Sequence, residues 1–509
     1  MRNPRTIRHY VDWRAEIQTD SVYLIAPETG RTLTYGGLQR ESRALARYLL
    51  QLGLGKGDKV SFMLHNGYQA ARLLLGAMYG GFVVQPINLL AQRSQLEYVL
   101  AHSDTRAVFV GPEYAARLHE ALGAVDRKVH VEEIDADADR IFDADAMPEC
   151  ELLPIEEKDA ALLMYTSGTT GKPKGCLLAH GNCVAGGEFT SSAHHLGGDD
   201  RVLCALPLYH INGQIVTAVA PLVHGGSVVM PNRFSASAYW PLVSKYRCTW
   251  INVVPTIIAY LLNGPDPREL GLSIEQVRFC RSASAPLPPE QHRAFEARFG
   301  IGIIETFGMT ETAAPCFTNP YEPQKRKVGS PGTAYGNEAK IIDPATGATL
   351  PPGQPGEIMV RGDNVMKGYY KDPVNTASTI EADGWLHSGD LGYLDDDGFL
   401  FVTGRIKELI IKGGENIAPR EIDEALLKHP AVLEAAAVGI PDAHYGQEIM
   451  AAVVLKPGSA CTPQELIGFC EQDLGRYKTP KLIRLVDELP KGPSGKVQRL
   501  KLLELQGGT

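Results

Sequence analysis

The sequence lacks the features that mark a secreted, zinc-stabilised or membrane-spanning chain. Its nine cysteines form no CxxC pair and no Cys/His group at zinc-ligand spacing, which argues against a structural zinc site and against a disulfide framework. The N-terminal residues carry charges throughout and lack the apolar core of a signal peptide. No run of 18 apolar residues occurs, so we expect no membrane span. A cytoplasmic location, in a reducing compartment, is the expectation.

Two further absences narrow the class of protein. We find no low-complexity tract and no repeat of fixed period, which excludes fibrous and solenoid architectures. The net charge of −9 argues against a nucleic-acid partner held by charge alone. The 509 residues, 44% hydrophobic and 21% charged, are too many for one core and are typical of a globular enzyme with about three or four structural units.

The most informative segment that is present is YTSGTTGKPKG, from Tyr165 to Gly175. Its glycines allow the backbone to approach an anion closely, its hydroxyls offer hydrogen bonds to phosphate oxygens or a metal, and its two lysines, Lys172 and Lys174, supply positive charge. It is not a Walker A loop, because Pro173 stands where that pattern requires another residue. The segment indicates a different polyphosphate-binding loop, the alternative being a flexible surface loop. The glycines are Gly168, Gly171 and Gly175, and the hydroxyls are Thr166, Ser167, Thr169 and Thr170.

The first half of the chain has the alternating pattern of an α/β fold. Thr34 is suited to cap a helix that ends near Gly53, and KVSFML then reads as a strand. A helix (GYQAARLLLGAMYG) and a strand (FVVQPI) follow. Strands separated by helices predict a parallel sheet covered on both faces, with ligands at the carboxyl ends of its strands. The apolar run ALLMY before the phosphate loop fits such a strand.

The pattern of predicted strands, helices and turns changes twice towards the C-terminus. Between about 330 and 404, short strands separated by PATG, PPGQPG and DDDG turns predict a β-rich subdomain. After Gly404, two helices alternate with strands, the first helix opened by Pro419 and the second by a capping box at Thr462 and Glu465. We therefore expect a large N-terminal domain over 1–404, built of layered α/β subdomains with the β-rich subdomain, and a small α+β domain over 405–509.

Four other segments are rich in reactive residues. They are PLYHING (207–213) with His210 and Asn212, SASAPL (282–287), ETFGMTE (305–311), and the SGD (388–390) and GRIKELIIKGGEN (404–416) pair. Considered singly, each segment has an alternative interpretation in which its residues have only a structural role. A lone histidine is more often a hydrogen-bonded structural residue, and Ser388 with Asp390 is more often a turn than part of a catalytic triad.

In this order, the segments resemble the adenylate-forming superfamily of acyl-CoA synthetases, firefly luciferase and nonribosomal peptide adenylation domains. The resemblance runs from about residue 30 to 500 and includes PKGPSGKVQR (490–499), which matches the family's Pro-Lys-x-x-x-Gly-Lys pattern. It implies a mobile C-terminal domain that closes over ATP, with magnesium and coenzyme A as the other expected ligands.

The resemblance also implies roles for individual residues. Lys496, His210 and Glu311 form the implied catalytic set, Thr166 and Glu311 lie near magnesium, and Lys407 marks the hinge between the domains. Coenzyme A is implied to meet Gly413, Gly414 and Glu415. The implied ATP-binding residues are Thr166, Ser167, Gly168, Thr169, Thr170, Gly171, Lys174, Ser284, Ala285, Pro286, Glu305, Thr306, Phe307, Gly308, Thr310, Asp390 and Arg405.

These residue types suit a two-step reaction in which a carboxylate attacks the α-phosphorus of ATP and a thiol then attacks the mixed anhydride. Two anions meet in the first step, so cations and a metal are needed to neutralise charge. The substrate carboxylate is already ionised at neutral pH, so no strong general base is required. The lack of a Ser/His/Asp triad is therefore expected.

Two arginines are relevant to the identity of the substrate acid. Arg281 precedes Ser282 where an apolar residue would suit a fatty chain, and Arg233 lies in PNRF. Since family members that activate malonate place arginines in comparable segments, the hypothesis is a small acid with a second anionic group, a dicarboxylate or a sulfonated acid such as sulfoacetate. The alternative is that both arginines face the solvent or the nucleotide.

Other functions stay open beside this one. The chain is alternatively an adenylation enzyme that loads a carrier protein, a medium- or long-chain fatty acid ligase, or a silent binding protein that keeps the fold. The complete phosphate loop with Asp390, Arg405 and Lys496 argues against the silent protein. The expected partners are small molecules with no nucleic acid, and a homodimer is left open.

Overall fold

The computed structural model describes residues 5–138, 149–166, 172–491 and 497–507. Within this part the chain is a mixed α/β protein, as the sequence predicts. None of its helices there has the length and apolar character needed to cross a membrane. The helices are α1 (Ile7–Ile17), α2 (Tyr35–Gln51), α3 (Tyr68–Gly80), α4 (Arg93–His102), α5 (Pro112–Leu122), α6 (His180–Ala193), α7 (Ala220–His224), α8 (Ala236–Lys245), α9 (Pro255–Asn263), α10 (Pro289–Phe299), α11 (Pro373–Thr379), α12 (Pro419–Leu427) and α13 (Pro463–Lys478).

The strands form four sheets, and a π-helix and four 3₁₀ segments complete the described elements. The strands are β1 (Val22–Ala26), β2 (Arg31–Thr34), β3 (Lys59–Met63), β4 (Val83–Pro86), β5 (Thr105–Val110), β6 (His130–Glu133), β7 (Ala160–Thr166), β8 (Lys174–Ala179), β9 (Arg201–Cys204), β10 (Ser227–Val229), β11 (Trp250–Val253), β12 (Phe279–Ser282), β13 (Ile303–Met309), β14 (Ala314–Thr318), β15 (Thr333–Ala334), β16 (Asn337–Ile342), β17 (Gly356–Gly362), β18 (Gly368–Tyr369), β19 (Leu386–Leu394), β20 (Leu400–Arg405), β21 (Ile410–Lys412), β22 (Glu415–Ile417), β23 (Val432–Asp442), β24 (Gly446–Leu455) and β25 (Leu482–Leu485). The π-helix is Asn212–Val219, and the 3₁₀ segments are Thr310–Thr312, Pro323–Lys325, Ile406–Glu408 and Arg499–Gly507.

Two large sheets organise the N-terminal part. The seven-stranded sheet has the order β18-β8-β7-β4-β3-β5-β6, and its strands pair in parallel from β7 to β6. The nine-stranded sheet has the order β15-β14-β13-β12-β11-β9-β10-β1-β2, and its strands pair in parallel from β13 to β1. The predicted parallel arrangement is therefore confirmed, and antiparallel strands complete both sheets.

Local sequence signals account for several helix boundaries. The Thr34 side chain accepts a hydrogen bond from the Gly37 backbone N–H and caps α2, as predicted. The predicted capping box of Thr462 and Glu465 opens α13. All 13 residues of α3 are buried, because this helix packs on α2 within the largest hydrophobic core, and its nearly uniform apolar sequence suits such a position.

The third and fourth sheets lie towards the C-terminus. The antiparallel sheet β16-β17-β19-β20 falls within the predicted β-rich segment, except for its last residue, Arg405. The last sheet consists of β22-β21-β24-β23 with β25 beside β24, and α12 and α13 cover its own buried core. Helix α12 reaches the preceding sheet, where the Arg420 guanidinium donates a hydrogen bond to the Val402 carbonyl.

Candidate active site

A cavity of about 250 Å³ lies where the nine-stranded sheet, the β19–β20 pair and the C-terminal part meet. Segments far apart in the sequence line it because the parallel strands all end on this side. The large part contributes Pro255, Thr256, Ser284, Ala285, Pro286, Glu305, Thr306, Phe307, Gly308, Asp390 and Arg405, among others. The C-terminal part contributes residues that include Glu408, Arg420, Asp423, Glu424, Glu434, Lys491, Val497 and Arg499.

The neighbouring strands β12 and β13 bring two of the predicted segments together. Ser282 lies opposite Glu305 in their parallel register, so the SAP turn and the TFG segment that follow are adjacent at the carboxyl ends of the strands. Ser284 has a φ of 74°, a conformation that costs a residue with a side chain about 1 kcal/mol or more. Gly308 faces backbone closely, since an added Cβ would lie 2.3 Å from the Ala314 carbonyl oxygen. The backbone conformation at Ser284 and the lack of space at Gly308 therefore restrict which residues this wall of the cavity can contain.

Polar atoms without partners face the same region. Glu305 is buried; its Oε1 accepts a hydrogen bond of 3.0 Å from the Leu287 N–H, and burial raises the pKa of its carboxyl group. Its Oε2 and the Thr306 hydroxyl are buried without a hydrogen-bond partner in the described part of the chain. Such groups are costly unless a ligand completes their hydrogen bonds. Both residues line the cavity, so they are suited to meet the donors and acceptors of a bound base.

An ion pair forms a second wall. Asp390 and Arg405 are cross-strand partners of β19 and β20, and the Arg405 Nε lies 2.7 Å from Asp390 Oδ1. Asp390 is almost fully buried, and it raises the pKa of the Arg405 guanidinium, which therefore stays charged. A carboxylate and a guanidinium side by side match the hydroxyl and phosphate groups of a nucleotide.

The described flanks of the predicted phosphate loop are Thr166 and Lys174. They are opposite each other in the β7–β8 hairpin, and Lys174 Nζ donates a hydrogen bond of 2.6 Å to Asn375 Oδ1. The Tyr165 hydroxyl, at the start of the loop, lies 2.7 Å from His102 Nδ1. The loop residues Ser167, Gly168, Thr169, Thr170 and Gly171 lie outside the described residues.

Tyr369 links the loop to the predicted metal-binding residues. Lys174 Nζ lies 4.9 Å from the centre of the Tyr369 ring, and the Tyr369 hydroxyl donates a hydrogen bond of 2.9 Å to Glu311 Oε1. Thr310 precedes Glu311 in the 3₁₀ turn after β13. One carboxylate and one hydroxyl, from Glu311 and Thr166, are the oxygen donors that Mg²⁺ accepts when phosphates supply further ligands. The donor set present here fits that ion.

Arg281, one of the two predicted acid-binding arginines, is fully buried. Its Nη1 donates to Asn212 Oδ1 at 3.0 Å and to Asn252 Oδ1 at 2.9 Å, and Asn212 Nδ2 donates to Ser284 Oγ at 3.2 Å. Arg281 is therefore not a surface residue, and it lies behind Ser284 rather than on the lining of the cavity. Burial lowers its pKa to about 9.

Two other predicted residues also lie off the cavity lining. Arg233 is exposed, in the segment that precedes α8. His210 is half-buried two residues before the π-helix, and its ring centre lies 5.2 Å from that of Tyr209. The structure thus brings Asn212 and Arg281 together but leaves Arg233 on the surface.

The predicted hinge residue Lys407 lies between two anchored neighbours. Arg405 is held by Asp390, and Glu408 lies 3.3 Å from the Arg499 Nε on the C-terminal part. Lys407 itself is in the 3₁₀ turn Ile406–Glu408. The turn thus connects Arg405, which pairs within the large part, to Glu408, which pairs within the C-terminal part.

The remaining predicted residues lie on the C-terminal part. Gly413, Gly414 and Glu415 are exposed at the tip of the β21–β22 hairpin and do not line the cavity. Lys496 lies outside the described residues. Its flanks Lys491 and Val497 face each other in a β-bridge and both line the cavity. In the described C-terminal part, Lys491 and Val497 therefore face the cavity, and the hairpin does not.

Sequence reasoning missed several residues of this region. Asn252, in the apolar run WINVVP, carries no motif, and only its place beside Arg281 on neighbouring strands reveals it. Arg420, Glu424 and Arg499 reach the cavity from the C-terminal part. The start of α12 at Pro419 was the available signal for the first two.

Comparison with known proteins gives consistent similarities along the chain. The model of the AMP-binding enzyme family matches residues 11–370, and that of the AMP-binding enzyme C-terminal domain matches residues 421–496. A sulfoacetate–CoA ligase of Cupriavidus necator is 57% identical over 500 residues, covering 98% of this chain and 97% of that protein. An oxalate–CoA ligase of Arabidopsis thaliana is 34% identical, covering 90% of each chain. The crystal structure of ATP-bound MatB from Rhodopseudomonas palustris superposes with a TM-score of 0.90 at 30% identity, covering 99% of each chain.

Proposed function

The chain belongs to the AMP-binding enzyme family, and on that premise we propose that it activates sulfoacetate, or a closely similar short acid with a second anionic group, for transfer to coenzyme A. The reaction class follows from the family: an acid and ATP give an acyl-adenylate and pyrophosphate, and coenzyme A then gives the acyl-CoA and AMP. The enzyme is thus an AMP-forming acid–CoA ligase.

The observation that carries the substrate proposal is the burial of Arg281. A guanidinium that, among the described residues, is held only by neutral amide oxygens lies directly behind the wall of the nucleotide cavity. A fatty acid chain gives no compensation for such a charge, whereas a sulfonate or second carboxylate does. The relatives named for sulfoacetate and for oxalate both take short acids with a second anionic group, which supports the same class.

In the proposed first step, an oxygen of the substrate carboxylate attacks the α-phosphorus of ATP, and the bond to pyrophosphate breaks. Asp390 and Arg405 hold the ribose and phosphate side, and Glu305 and Thr306 meet the base. Lys174 and the loop after Thr166 bind the phosphates that leave. Lys496 balances charge on the α-phosphate. Glu311 and Thr166 would hold Mg²⁺, which, when bound, neutralises phosphate charge.

In the proposed second step, the thiolate of coenzyme A attacks the acyl carbonyl of the mixed anhydride, and AMP leaves. The hairpin of Gly413, Gly414 and Glu415 lies away from the cavity in this structure. We infer that rotation of the small domain about Lys407 removes the lysine-bearing segment and brings this hairpin to the site. Different faces of the small domain would then serve the two reactions in turn.

The proposal also concerns the cellular compartment and the oligomeric state of the enzyme. The nine cysteines are all free thiols, seven of them buried, which suits a reducing cytosol. The homodimer that the sequence leaves open is tested by the mass of the purified enzyme in solution.

The decisive experiment measures pyrophosphate release and thioester formation for a panel of acids. Sulfoacetate, oxalate, malonate, acetate, propionate, benzoate and octanoate are each supplied with ATP, with and without coenzyme A. We expect sulfoacetate to have the highest kcat/KM, and thioester formation to identify coenzyme A as the acceptor. Preference for octanoate or benzoate would refute the proposed substrate class.

A matched pair of variants tests the role of Arg281. Arg281→Met should raise the KM for sulfoacetate at least tenfold while changing the KM for ATP little. Arg278→Met is the control, because Arg278 lies three residues away on the same chain segment but pairs with Asp200 at 2.9 Å. Equal changes in the two KM values for Arg281→Met would show that Arg281 does not bind the acid.

A further inference from the structure

The two arginines of the described chain that are fully buried differ in their surroundings. Arg72 lies 3.0 Å from the carboxylate of Glu41. Arg281 has no described carboxylate partner: its Nη1 is bound by the amide oxygens of Asn212 and Asn252, and its Nε is buried without a hydrogen-bond partner among the described residues. The positive charge of Arg281 is therefore solvated by dipoles but not neutralised.

The two asparagines are oriented by one another. Asn252 Nδ2 donates to Asn212 Oδ1 at 3.0 Å, so the carboxamide oxygens of both residues are turned towards the guanidinium. Asn252 lies opposite Arg281 in the parallel register of β11 and β12, which fixes their separation. The two uncharged carboxamides thus hold the guanidinium at a position where a carboxylate of the same size would fit. We call Asn212 and Asn252 the asparagine pair.

The asparagine pair is connected to the cavity by a hydrogen bond. Asn212 is the first residue of the π-helix, a rare form that is often found at functional sites, and its Nδ2 donates to Ser284 Oγ. Ser284 lines the cavity and holds a φ of 74°. A continuous hydrogen-bond path therefore leads from the buried cation through Asn212 to the wall next to which the acid must lie.

We propose that Asn252 and Asn212 are specificity-determining residues, which hold Arg281 in place behind Ser284 without neutralising it, so that its charge attracts the second anionic group of the substrate across this wall of the cavity. Asn252 acts through Arg281 and is a positioning residue. The inference rests on the proposed function and deepens it: the enzyme selects doubly anionic short acids because no carboxylate of the described residues competes for this cation.

Asn252→Asp tests the proposal with an almost isosteric change that gives Arg281 an internal counter-ion. We expect the KM for sulfoacetate to rise at least tenfold with a smaller change in kcat, and the KM for propionate to stay the same or to fall. The ratio of kcat/KM for sulfoacetate to that for propionate should fall at least tenfold. The unfolding temperature should not fall, because a buried charge gains a partner.

A binding measurement provides a readout that does not depend on turnover. Sulfoacetate should raise the unfolding temperature of the wild-type enzyme in the presence of AMP, with which no adenylate can form, and this increase should be lost in Asn252→Asp. Asn252→Ala serves as the second variant, because it removes one amide while leaving Arg281 charged. It should keep part of the preference for sulfoacetate over propionate.

Parallel losses for sulfoacetate and propionate in both variants would overturn the proposal and leave the asparagines with a structural role. The same holds if Asn252→Asp keeps the wild-type preference. Failure of the proposed function is distinguishable, because the wild-type enzyme would then form no thioester from sulfoacetate at all.

Discussion

Asp390 and Arg405 are directly opposite each other on β19 and β20, and their side chains form an ion pair of 2.7 Å at the edge of the nucleotide cavity. Arg405 is also the last residue before the 3₁₀ turn that contains Lys407. The residue that faces the nucleotide is therefore adjacent in sequence to the point about which the small domain is proposed to turn. We therefore expect the affinity for ATP to depend on the position of the small domain.

The Asp390–Arg405 pair gives the first prediction. Asp390→Asn should raise the KM for ATP at least tenfold, because the pair loses its negative charge and the ribose loses an acceptor. The KM for the acid should change much less. Asp397→Asn is the control, since Asp397 is exposed and pairs with Lys327 at 2.7 Å on the hairpin between the same strands. Steady-state kinetics with ATP varied would contradict the assignment if both variants behaved alike.

Lys496 gives the second prediction. Lys496→Ala should slow acyl-adenylate formation by about 100-fold or more, because a charge on the α-phosphate is left unbalanced. Thioester formation from a chemically prepared acyl-adenylate should stay within about threefold of wild type. Lys501→Ala, at an exposed lysine of the same C-terminal segment, is the control. Equal loss in the two half-reactions would remove Lys496 from the proposed role.

The hinge gives the third prediction. Lys407→Pro should restrict the turn between Arg405 and Glu408 and favour one domain arrangement, so one half-reaction should fall at least tenfold while the other is largely kept. Lys407→Ala, which leaves the backbone free, should retain both. Separate assays of pyrophosphate release and of thioester formation make the comparison. If Lys407→Pro kept both rates, the hinge would lie elsewhere.

Three histidines, His180 and His194, which are buried, and His224, which is half-buried, give the fourth prediction. Burial lowers the pKa of His180 and of His224 to about 4 and that of His194 to about 3. In the unfolded chain a histidine takes up a proton near pH 6.5, so the unfolded state binds more protons as the pH falls from about 6.5 to 4. The free energy of unfolding should therefore decrease over this window, by up to about 3 kcal/mol for each histidine whose pKa is near 4.

Urea unfolding at pH 7.5, 6, 5 and 4.5 measures this effect. His224→Gln should weaken the decrease below pH 6.5, whereas His119→Gln should not, because His119 is exposed. An unfolding free energy that stayed constant from pH 7.5 to 4.5 would contradict the prediction.

Local patterns in the sequence were sufficient for much of the fold. Thr34 and the Thr462–Glu465 capping box mark helix starts, because their side chains bond to backbone groups only three residues away. The alternation of strands and helices predicted the parallel sheets, because this pattern is also read from segments that are neighbours in the sequence. The antiparallel pairing of β18 with β8 escaped prediction because the two strands are almost 200 residues apart in the sequence.

The sequence by itself determined the reaction class, because the motifs for phosphate, base, ribose and hinge occur in a fixed order and each is a short run of residues. Only the tertiary structure decided what surrounds Arg281. Arg281, Asn252 and Asn212 meet because β11 and β12 are neighbours and the π-helix begins beside them. The net charge of a buried site depends on which side chains are its neighbours in space, and a linear pattern does not specify those neighbours.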